Sequence, residues 1–327
     1  MPEVSLRRMS ERISGTVIRS TGTWSSVMLV DDTIIECRLR GNYRIKGLRT
    51  TSPISVGDKV ELVLEQADSS QGIIENILER ENYIIRKSVN LSKEAHIIAS
   101  NVDQALIIAT THHPRTSYGF IDRFLCTAEA YSIPAAILIN KSDLNTKKAE
   151  QKVQDEYMNC YQSIGYKVFT GSALNGIGME ELTNWMEGKV TLVTGHSGVG
   201  KSTLINELQP DLDIPTSEIS DVHHKGIHTT TYAEMHPLKT SGFIIDTPGI
   251  KEFGMIDMQK AEVSHFFPDI FRKSDECKFN NCQHLKEPKC AIKDALEINI
   301  IDESRYTTYV QLMEEDASDI HRKNIFG

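Results

Sequence analysis

The sequence predicts an α/β protein with three parts: a small N-terminal β-barrel, a doubly wound parallel sheet, and a C-terminal, mainly helical domain. Short β-rich runs separated by turn residues fill the segment from Ser14 to Glu79. Apolar strands then alternate with amphipathic helical segments, and three cysteines and one histidine crowd together between residues 277 and 290. From these changes of pattern we expect the domains to span residues 1–79, 80–256 and 257–327.

Length, composition and charge narrow the class of protein. The chain has 327 residues, of which 39% are hydrophobic, so it has room for a sizeable core and more than one domain. No apolar run has the length of a signal peptide core or a membrane span, and we therefore expect a cytoplasmic protein without a membrane partner. The net charge of −9 argues against non-specific binding of nucleic acid over the whole surface.

The N-terminal segment has the pattern of a closed barrel. Its five β-rich runs begin near residues 16, 27, 34, 59 and 72 and are separated by Gly, Asp, Ser and Pro. An OB-fold is the expected closure, and such barrels bind oligonucleotides through one sheet face and its loops. The segment also holds a basic run without an intervening acid, formed by Arg38, Arg40, Arg44, Lys46 and Arg49. We interpret the run as an RNA-binding loop; the alternatives are a solvated loop and a purely structural barrel.

Residues 80–100 are expected to link the barrel to a domain in which strands and helices alternate. An apolar run at 102–109 precedes a helical pattern around Phe124, and a strand at 135–139 precedes another helical pattern around Tyr157. A further strand and a short helix then lead to an apolar strand that ends at Val193. This alternation predicts a parallel, doubly wound sheet.

A glycine-rich loop follows that last strand and opens into a helix. It comprises Thr194, Gly195, His196, Ser197, Gly198, Val199, Gly200, Lys201 and Ser202. Glycines at this spacing let backbone N–H groups approach phosphate oxygens at a helix N-terminus, where the dipole favours anions. Lys201 would contact the β- and γ-phosphates of a nucleotide, and Ser202 would bind Mg²⁺. The alternative is a glycine-rich turn without a ligand, which the flanking strand and helix argue against.

A second motif, Asn140-Lys141-Ser142-Asp143, directly follows the strand at 135–139. It resembles the guanine-specificity signature of GTPases. Guanine presents a ring N–H and an exocyclic amine side by side, and the Asp143 carboxylate can accept both hydrogen bonds. Lys141 would lie over the base, and Asn140 would tie neighbouring loops together. Taken alone, such a tetrapeptide is also typical of a helix-capping turn.

Three further segments complete the expected nucleotide site. Ser172 and Ala173 resemble the loop whose backbone N–H contacts the guanine oxygen. Asp246 ends a strand and suits outer-sphere Mg²⁺ binding, and Gly249 suits a backbone contact with the γ-phosphate. Thr230 lies in a threonine-rich turn that looks like switch I, where its hydroxyl would complete the Mg²⁺ shell; an ordinary turn is the alternative.

The order of these motifs is unusual, because the guanine motif precedes the phosphate loop, whereas most GTPases have the reverse order. We interpret the domain as a circularly permuted GTPase, which is physically tolerable because domain termini often lie close together. With its barrel and C-terminal cysteines, the whole chain resembles the RsgA family of ribosome small-subunit-dependent GTPases, also called YjeQ or YloQ. Further matches are the segments 99–103, 121–125, 251–254 and 305–309.

The resemblance implies an OB-fold, a permuted GTPase domain and a zinc-binding C-terminal domain that act together in late maturation of the small ribosomal subunit. The expected activity is Mg²⁺-dependent hydrolysis of GTP to GDP and phosphate. The expected partners are the small subunit and its rRNA, and we expect a monomer. An alternative is a GTP-gated RNA-binding clamp whose hydrolysis is negligible away from the ribosome. An ATP-dependent kinase is disfavoured, since adenine offers Asp143 no pair of donors.

The C-terminal cluster consists of Cys277, Cys282, His284 and Cys290. Three thiolates and an imidazole complete a tetrahedral Zn²⁺ shell without an open position, so we expect one structural zinc ion. The alternative is a set of buried cysteines that bind no metal.

The group that positions the attacking water must differ from that of many GTPases. Ile250 follows Gly249 and cannot hydrogen-bond as the glutamine of those enzymes does. His228, in the segment that looks like switch I, is the candidate, because an imidazole can orient water or accept its proton near neutral pH. Lys201 and His228 are thus the expected catalytic residues. The alternative is that His228 only stabilises its loop.

Overall fold

The computed structural model describes residues 12–41, 53–65, 68–87, 95–212, 214, 233–247 and 260–314. These residues form two compact units. The first unit contains the described residues up to Val102 together with 233–236 and 245–247, and the second contains the others. In the part of the chain that is described, no helix is long and apolar enough to cross a membrane.

The first unit is built around a five-stranded barrel, as the sequence predicted. Its strands are β1 (Ile13–Ser20), β2 (Ser25–Leu29), β3 (Ile34–Leu39), β4 (Lys59–Glu65) and β5 (Asp68–Ile77). β1, β2 and β3 form an antiparallel meander, and β5 pairs in parallel with β3 and antiparallel with β4. The pairing of β4 with β1 closes the sheet. Its interior is filled by Val17, Val27, Cys37, Leu62 and Ile74.

The segment that the sequence predicted as a linker, residues 80–100, contains a hairpin. In it, β6 (Tyr83–Lys87) pairs antiparallel with β7 (Ala95–Ser100). The buried carboxylate of Asp58 joins this segment to the barrel, because it accepts hydrogen bonds of 2.6 Å from both Ser100 Oγ and Arg80 Nε. These strands carry only short apolar runs, which is why the sequence pattern indicated a connection.

The second unit contains the predicted parallel sheet, and its strands and helices alternate along the chain as the sequence predicted. Its elements are β8 (Gln104–Ala109), α1 (Tyr118–Ala130), β9 (Ala135–Ile139), α2 (Lys148–Ile164), β10 (Lys167–Thr170), α3 (Met179–Met186), β11 (Val190–Gly195) and α4 (Lys201–Leu208). The strands lie in the order β10-β9-β8-β11, and each neighbouring pair is parallel. Two later strands, β12 (Glu234–Pro237) and β13 (Phe243–Asp246), have residues in both units.

Helices cover both faces of this sheet. One apolar core joins the strands to α3 and α4 and includes Leu106, Leu138, Leu182, Val193 and Leu204. Successive strand residues point to opposite faces, so the buried side chains of Ile107 and Ile137 lie on the other face, and α1 contacts β8 and β9. Because the strands are parallel, the loops that follow them gather at one edge of the sheet.

The C-terminal region packs on α1. It consists of a 3₁₀ helix (Lys260–Phe266), α5 (Pro268–Ser274), α6 (Ala291–Glu297) and α7 (Glu303–Glu314). Their apolar side chains form a core that also contains Cys126 of α1. Tyr309 and Met313 of α7 are buried in this core.

Candidate nucleotide site and metal centre

The phosphate loop connects β11 to α4 and depends on its glycines. Gly198 and Gly200 have positive φ angles of 82° and 94°, a conformation that other residues adopt at a cost. A Cβ atom on Gly200 would lie 2.5 Å from Asn140 Nδ2, and one on Gly195 would lie 2.8 Å from the carbonyl oxygen of Ile108. The backbone therefore approaches its neighbours more closely than any side chain permits.

Asn140 connects the phosphate loop to the loop that follows β10. Its Nδ2 donates to the Val199 carbonyl at 2.8 Å, and its Oδ1 accepts from the Ala173 N–H at 2.9 Å. The side chain of Asn140 is buried, and so are Val199 and Ala173. One carboxamide thus holds together two loops that lie 59 and 33 residues away in the sequence.

The rest of the guanine motif forms a tight turn after β9. Lys141 has a φ of 60°, and a 3₁₀ helix (Ser142–Leu144) begins directly after it. Ser142 N donates to the Gly171 carbonyl at 3.0 Å, and Ser172 N donates to the Ile177 carbonyl at 2.9 Å. Asp143 is half-buried at this turn. Burial lowers the pKa of Lys141, against the opposing effect of the nearby Asp143 carboxylate.

The loop after β8 and the start of α1 also border the phosphate loop, although the sequence motifs predicted neither as part of the site. Lys141 Nζ donates to the His113 carbonyl at 2.8 Å and to the Gly198 carbonyl at 2.7 Å. The ring of Phe120 stacks on His196, with centroids 3.5 Å apart. Burial lowers the pKa of His196, which favours the neutral ring. Topology alone could have placed these segments at the site, because a loop that follows a buried parallel strand lies at the ligand-binding edge of the sheet.

The phosphate loop fits a nucleotide and its Mg²⁺. Thr194 is fully buried, and its Oγ1 has no hydrogen-bond partner among the described residues. Lys201 and Ser202 form the first turn of α4 and are half-buried, while Ser197 is exposed. This arrangement presents an ammonium, a hydroxyl and backbone N–H groups at a helix start, which is the donor set for phosphate and Mg²⁺.

The remaining residues of the predicted nucleotide site lie apart from these loops in the sequence. Asp246 is the last residue of β13 and is buried. Thr230, His228 and Gly249 lie outside the described residues, as do Arg44, Lys46 and Arg49 of the basic run. The predicted roles of these six residues stay predictions.

The C-terminal region brings together the four predicted metal ligands, Cys277, Cys282, His284 and Cys290. Their ligand atoms all lie within 4.8 Å of one another, and the thiols of Cys277 and Cys290 are each 3.5 Å from His284 Nδ1. Burial raises the pKa of Cys282 to about 12. Crowded thiols become thiolates readily only beside a cation, so the donor set fits a divalent metal ion with an affinity for sulfur.

The loop that carries these ligands is held from two directions. The Glu287 carboxylate accepts hydrogen bonds from the backbone N–H groups of Gln283, Leu285 and Lys286, and these bonds lower its pKa. On the other side, the Tyr306 hydroxyl of α7 donates to the His284 carbonyl at 2.7 Å. The ligand loop is therefore fixed by polar contacts as well as by the apolar core.

Comparisons with known proteins agree with this geometry. Residues 77–256 match the family model described as RsgA GTPase, and residues 14–74 match the RsgA N-terminal domain. A relative from Phocaeicola vulgatus, described as a small ribosomal subunit biogenesis GTPase RsgA, is 48% identical over 310 residues. That alignment covers 95% of this chain and 99% of the relative.

Two solved structures have the same fold. The crystal structure of YjeQ from Thermotoga maritima has a TM-score of 0.74 and 32% identity, and the match covers 93% of this chain and 98% of that one. The crystal structure of YloQ, described as a circularly permuted GTPase, has a TM-score of 0.71 and 31% identity, with coverage of 94% and 96%.

Proposed function

Because the chain belongs to the RsgA family of circularly permuted GTPases, we propose that it hydrolyses GTP to GDP and phosphate while bound to the small ribosomal subunit. In this proposal the protein contacts rRNA and assists late maturation of the subunit. The family assignment and the names of its relatives support the partner, and the residues around Asn140 support the nucleotide.

Each group of the nucleotide site has a role in this proposal. Asp143 accepts the two hydrogen bonds that guanine offers, and the backbone of the loop at Ser172 and Ala173 contacts the guanine oxygen. Lys201 and the N–H groups of residues 194–200 hold the phosphates, and Ser202 binds Mg²⁺. The metal ion supplies charge neutralisation between the β- and γ-phosphates. Asp246, Thr230 and Gly249 complete the Mg²⁺ and γ-phosphate contacts.

One observation carries the guanine assignment. The Asn140 side chain hydrogen-bonds both Val199 of the phosphate loop and Ala173 of the loop after β10. A turn that only caps a helix does not require hydrogen bonds to two loops that are distant in sequence. The contact explains how one site can combine recognition of phosphate with recognition of a base.

Catalysis off the ribosome separates the main proposal from its alternative. Ile250 provides no hydrogen bond to the attacking water. In this proposal the small subunit therefore helps to assemble the catalytic geometry. In the alternative, the protein is a GTP-gated RNA-binding clamp whose hydrolysis merely resets it and is negligible without the ribosome. Both versions need the same nucleotide site.

The test is to measure turnover of GTP and ATP with and without purified small subunits. The proposal expects Mg²⁺-dependent hydrolysis of GTP, stimulated by the subunits, and no comparable hydrolysis of ATP. Lys201→Ala and Ser202→Ala should each abolish GTP hydrolysis. The first removes the cation that contacts the phosphates, and the second removes a ligand of Mg²⁺. Wild-type turnover in either variant would refute the site assignment. Nucleotide-dependent subunit binding, with hydrolysis that is negligible in the absence of subunits, would instead favour the clamp.

We also infer that the metal of the C-terminal cluster is zinc. Three thiolates and one imidazole nitrogen are the ligands of structural zinc sites, and a set of four leaves no position for a substrate. Cys290 and His284 are fully buried, which suits a site that stabilises the fold. The ion would thus fix the conformation of the loop between α5 and α6.

A further inference from the structure

A row of polar side chains crosses the outer face of the barrel. Strand register places Arg19 of β1 beside Ser26 of β2, Ser26 beside Glu36 of β3, and Glu36 beside Gln71 of β5. Cys37, which follows Glu36 in the strand, points inward and is buried. The four side chains of the row therefore face away from the core, on the strand face through which barrels of this type bind oligonucleotides.

An aromatic residue stands beside this row. Trp24, in the β1–β2 loop, is half-buried, and the guanidinium of Arg38 lies 4.1 Å from the centroid of its ring. Trp24 and the row border an open cleft of about 510 Å³ that is lined by Arg19, Thr21, Trp24, Ser26, Glu36 and Gln71. A cleft of that volume is within the range of small-ligand sites.

The acceptor in this cleft is oriented before any ligand arrives. Ser26 Oγ donates to Glu36 Oε1 at 2.6 Å, which fixes the carboxylate in one position. A carboxylate has about four acceptor sites, so one hydrogen bond leaves it able to accept others. Aromatic rings such as Trp24 stack nucleobases, and arginines along the neighbouring strand neutralise phosphates. Arg38 lies two residues after Glu36 on the same face of β3, and Arg40, which pairs with Glu75 at 2.8 Å, directly follows the last residue of that strand.

We propose that this cleft binds one unpaired guanine of single-stranded RNA, with the base stacked on Trp24 and its Watson–Crick edge bound by Glu36. The proposal rests on the proposed function in so far as rRNA is the partner. Guanine carries two adjacent donors, N1–H and the exocyclic amine, and both suit one carboxylate. Adenine and cytosine place an acceptor beside their amine, and uracil has one donor between two acceptors, so each would set an acceptor against Glu36.

The experiment measures binding of short RNAs by the fluorescence of Trp24. The chain has two tryptophans, so a Trp185→Phe background leaves Trp24 as the reporter. The probes are hexaribonucleotides of uridine with one internal G, A, C or inosine, and all-uridine RNA. Saturating GDP and Mg²⁺ are included to fill the nucleotide site. We expect RNA binding to quench the fluorescence of Trp24. The affinity for the guanine probe should be about five- to a hundredfold above that for the other probes, which is the range for a base contact made through two hydrogen bonds. Inosine, which lacks the amine, should bind more weakly than guanine.

Two substitutions assign the contacts. Trp24→Ala should weaken the guanine probe by about five- to a hundredfold, the range for loss of a stacking partner, whereas Trp24→Phe should retain most of the affinity. Binding of these variants is followed with a fluorophore on the RNA. Glu36→Gln should lose the preference for guanine over adenine, because an amide pairs an acceptor with a donor. Glu61→Gln changes a carboxylate of the barrel outside the cleft and is the matched control. It should change neither the affinity for the guanine probe nor the preference for guanine over adenine.

The outcomes separate this proposal from the proposed function. Equal affinity for all five probes, or a guanine preference that survives Glu36→Gln, would overturn the guanine site. Wild-type affinity in Trp24→Ala would overturn the stacking contact. If the protein still binds small subunits and is stimulated by them, the proposed function stands despite either result. Selective binding of the guanine probe without subunit binding would support the cleft and refute the proposed function.

Discussion

Arg305 and Asp122 form a buried ion pair, with Nη1 of the arginine 2.9 Å from Oδ1 of the carboxylate, although 183 residues separate them in sequence. The same guanidinium contacts Asp269 of α5 at 2.8 Å, and the Thr308 hydroxyl donates to Asp122 at 2.8 Å. Burial acts to lower the pKa of Arg305, but the two carboxylates raise it well above its usual value. One charged residue of α7 therefore links the C-terminal region to α1, whose first turn contacts the phosphate loop.

The first prediction concerns this link. Arg305→Met should destabilise the protein by about 3–5 kcal/mol, because it leaves two carboxylates buried without their cation. Chemical denaturation of the full chain, followed by circular dichroism, measures the loss. Lys273→Met removes a half-buried cation that pairs with the exposed Glu276 and should cost less than about 1 kcal/mol. Similar small losses in both variants would show that the buried pair is not required for stability.

Local sequence patterns predicted most of the fold. The alternation of strands and helices predicted the parallel sheet and the sequence of its elements along the chain, and the five β-rich runs predicted the barrel, because both depend on periodicities that a short window contains. The cluster of three cysteines and one histidine was predicted because these residues lie close together in sequence. The guanine motif stays a prediction, made because Asn140 to Asp143 directly follow a buried strand.

Long-range pairing could not be predicted in the same way. Nothing local to Asp122 or Arg305 indicates that they meet, since either residue alone is typical of a solvated helix face. The stacking of Phe120 on His196 depends equally on how α1 enters after β8. The hairpin of β6 and β7 was missed because its short runs lack a clear alternation of apolar and polar residues.

The second prediction concerns the residue that joins the two nucleotide loops. Asn140→Ala removes hydrogen bonds to Val199 and Ala173, so the Kd for GDP should rise by roughly tenfold or more. Titration with a fluorescent GDP analogue measures the change. Asn159→Ala, an exposed residue of α2, is the control and should bind normally. Unchanged affinity in Asn140→Ala would mean that the loops hold their positions without this side chain.

The third prediction concerns the base. Asp143→Asn should lose the preference for GTP over ATP, because the amide replaces a carboxylate that accepts two hydrogen bonds. The variant should gain affinity for xanthosine nucleotides, whose ring carries a carbonyl in place of the amine. Competition between the nucleotides measures both effects, with the exposed Asp155→Asn as control. If Asp143→Asn kept its selectivity for GTP, another group would have to recognise guanine.

The fourth prediction concerns the metal. Elemental analysis of protein purified without chelator should find about one zinc ion per chain, from one set of four ligands. Strong chelation, or Cys282→Ser, should unfold the C-terminal region while nucleotide binding stays nearly intact, because the nucleotide motifs lie upstream. Cys160→Ser replaces a cysteine outside the cluster and should retain the metal. Protein that contains no zinc, yet has a folded C-terminal region, would contradict the assignment.

The fifth prediction concerns the attacking water. His228 lies outside the described residues. In the sequence, Ile250 offers no hydrogen bond to the attacking water, and His228 stands two residues before Thr230 in the segment that resembles switch I. A positioned acid or base typically contributes a factor of about a hundred or more. We therefore expect His228→Ala to lower subunit-stimulated turnover by roughly that factor, with little change in GTP affinity.

Single-turnover hydrolysis with an excess of small subunits isolates the chemical step from product release. His224→Ala, directly before that segment, is the matched control, since it removes an imidazole four residues earlier and should retain most of the activity. A loss below about threefold in His228→Ala, with subunit binding intact, would assign the water to another residue or to the ribosome, because an essential base cannot be removed at so small a cost.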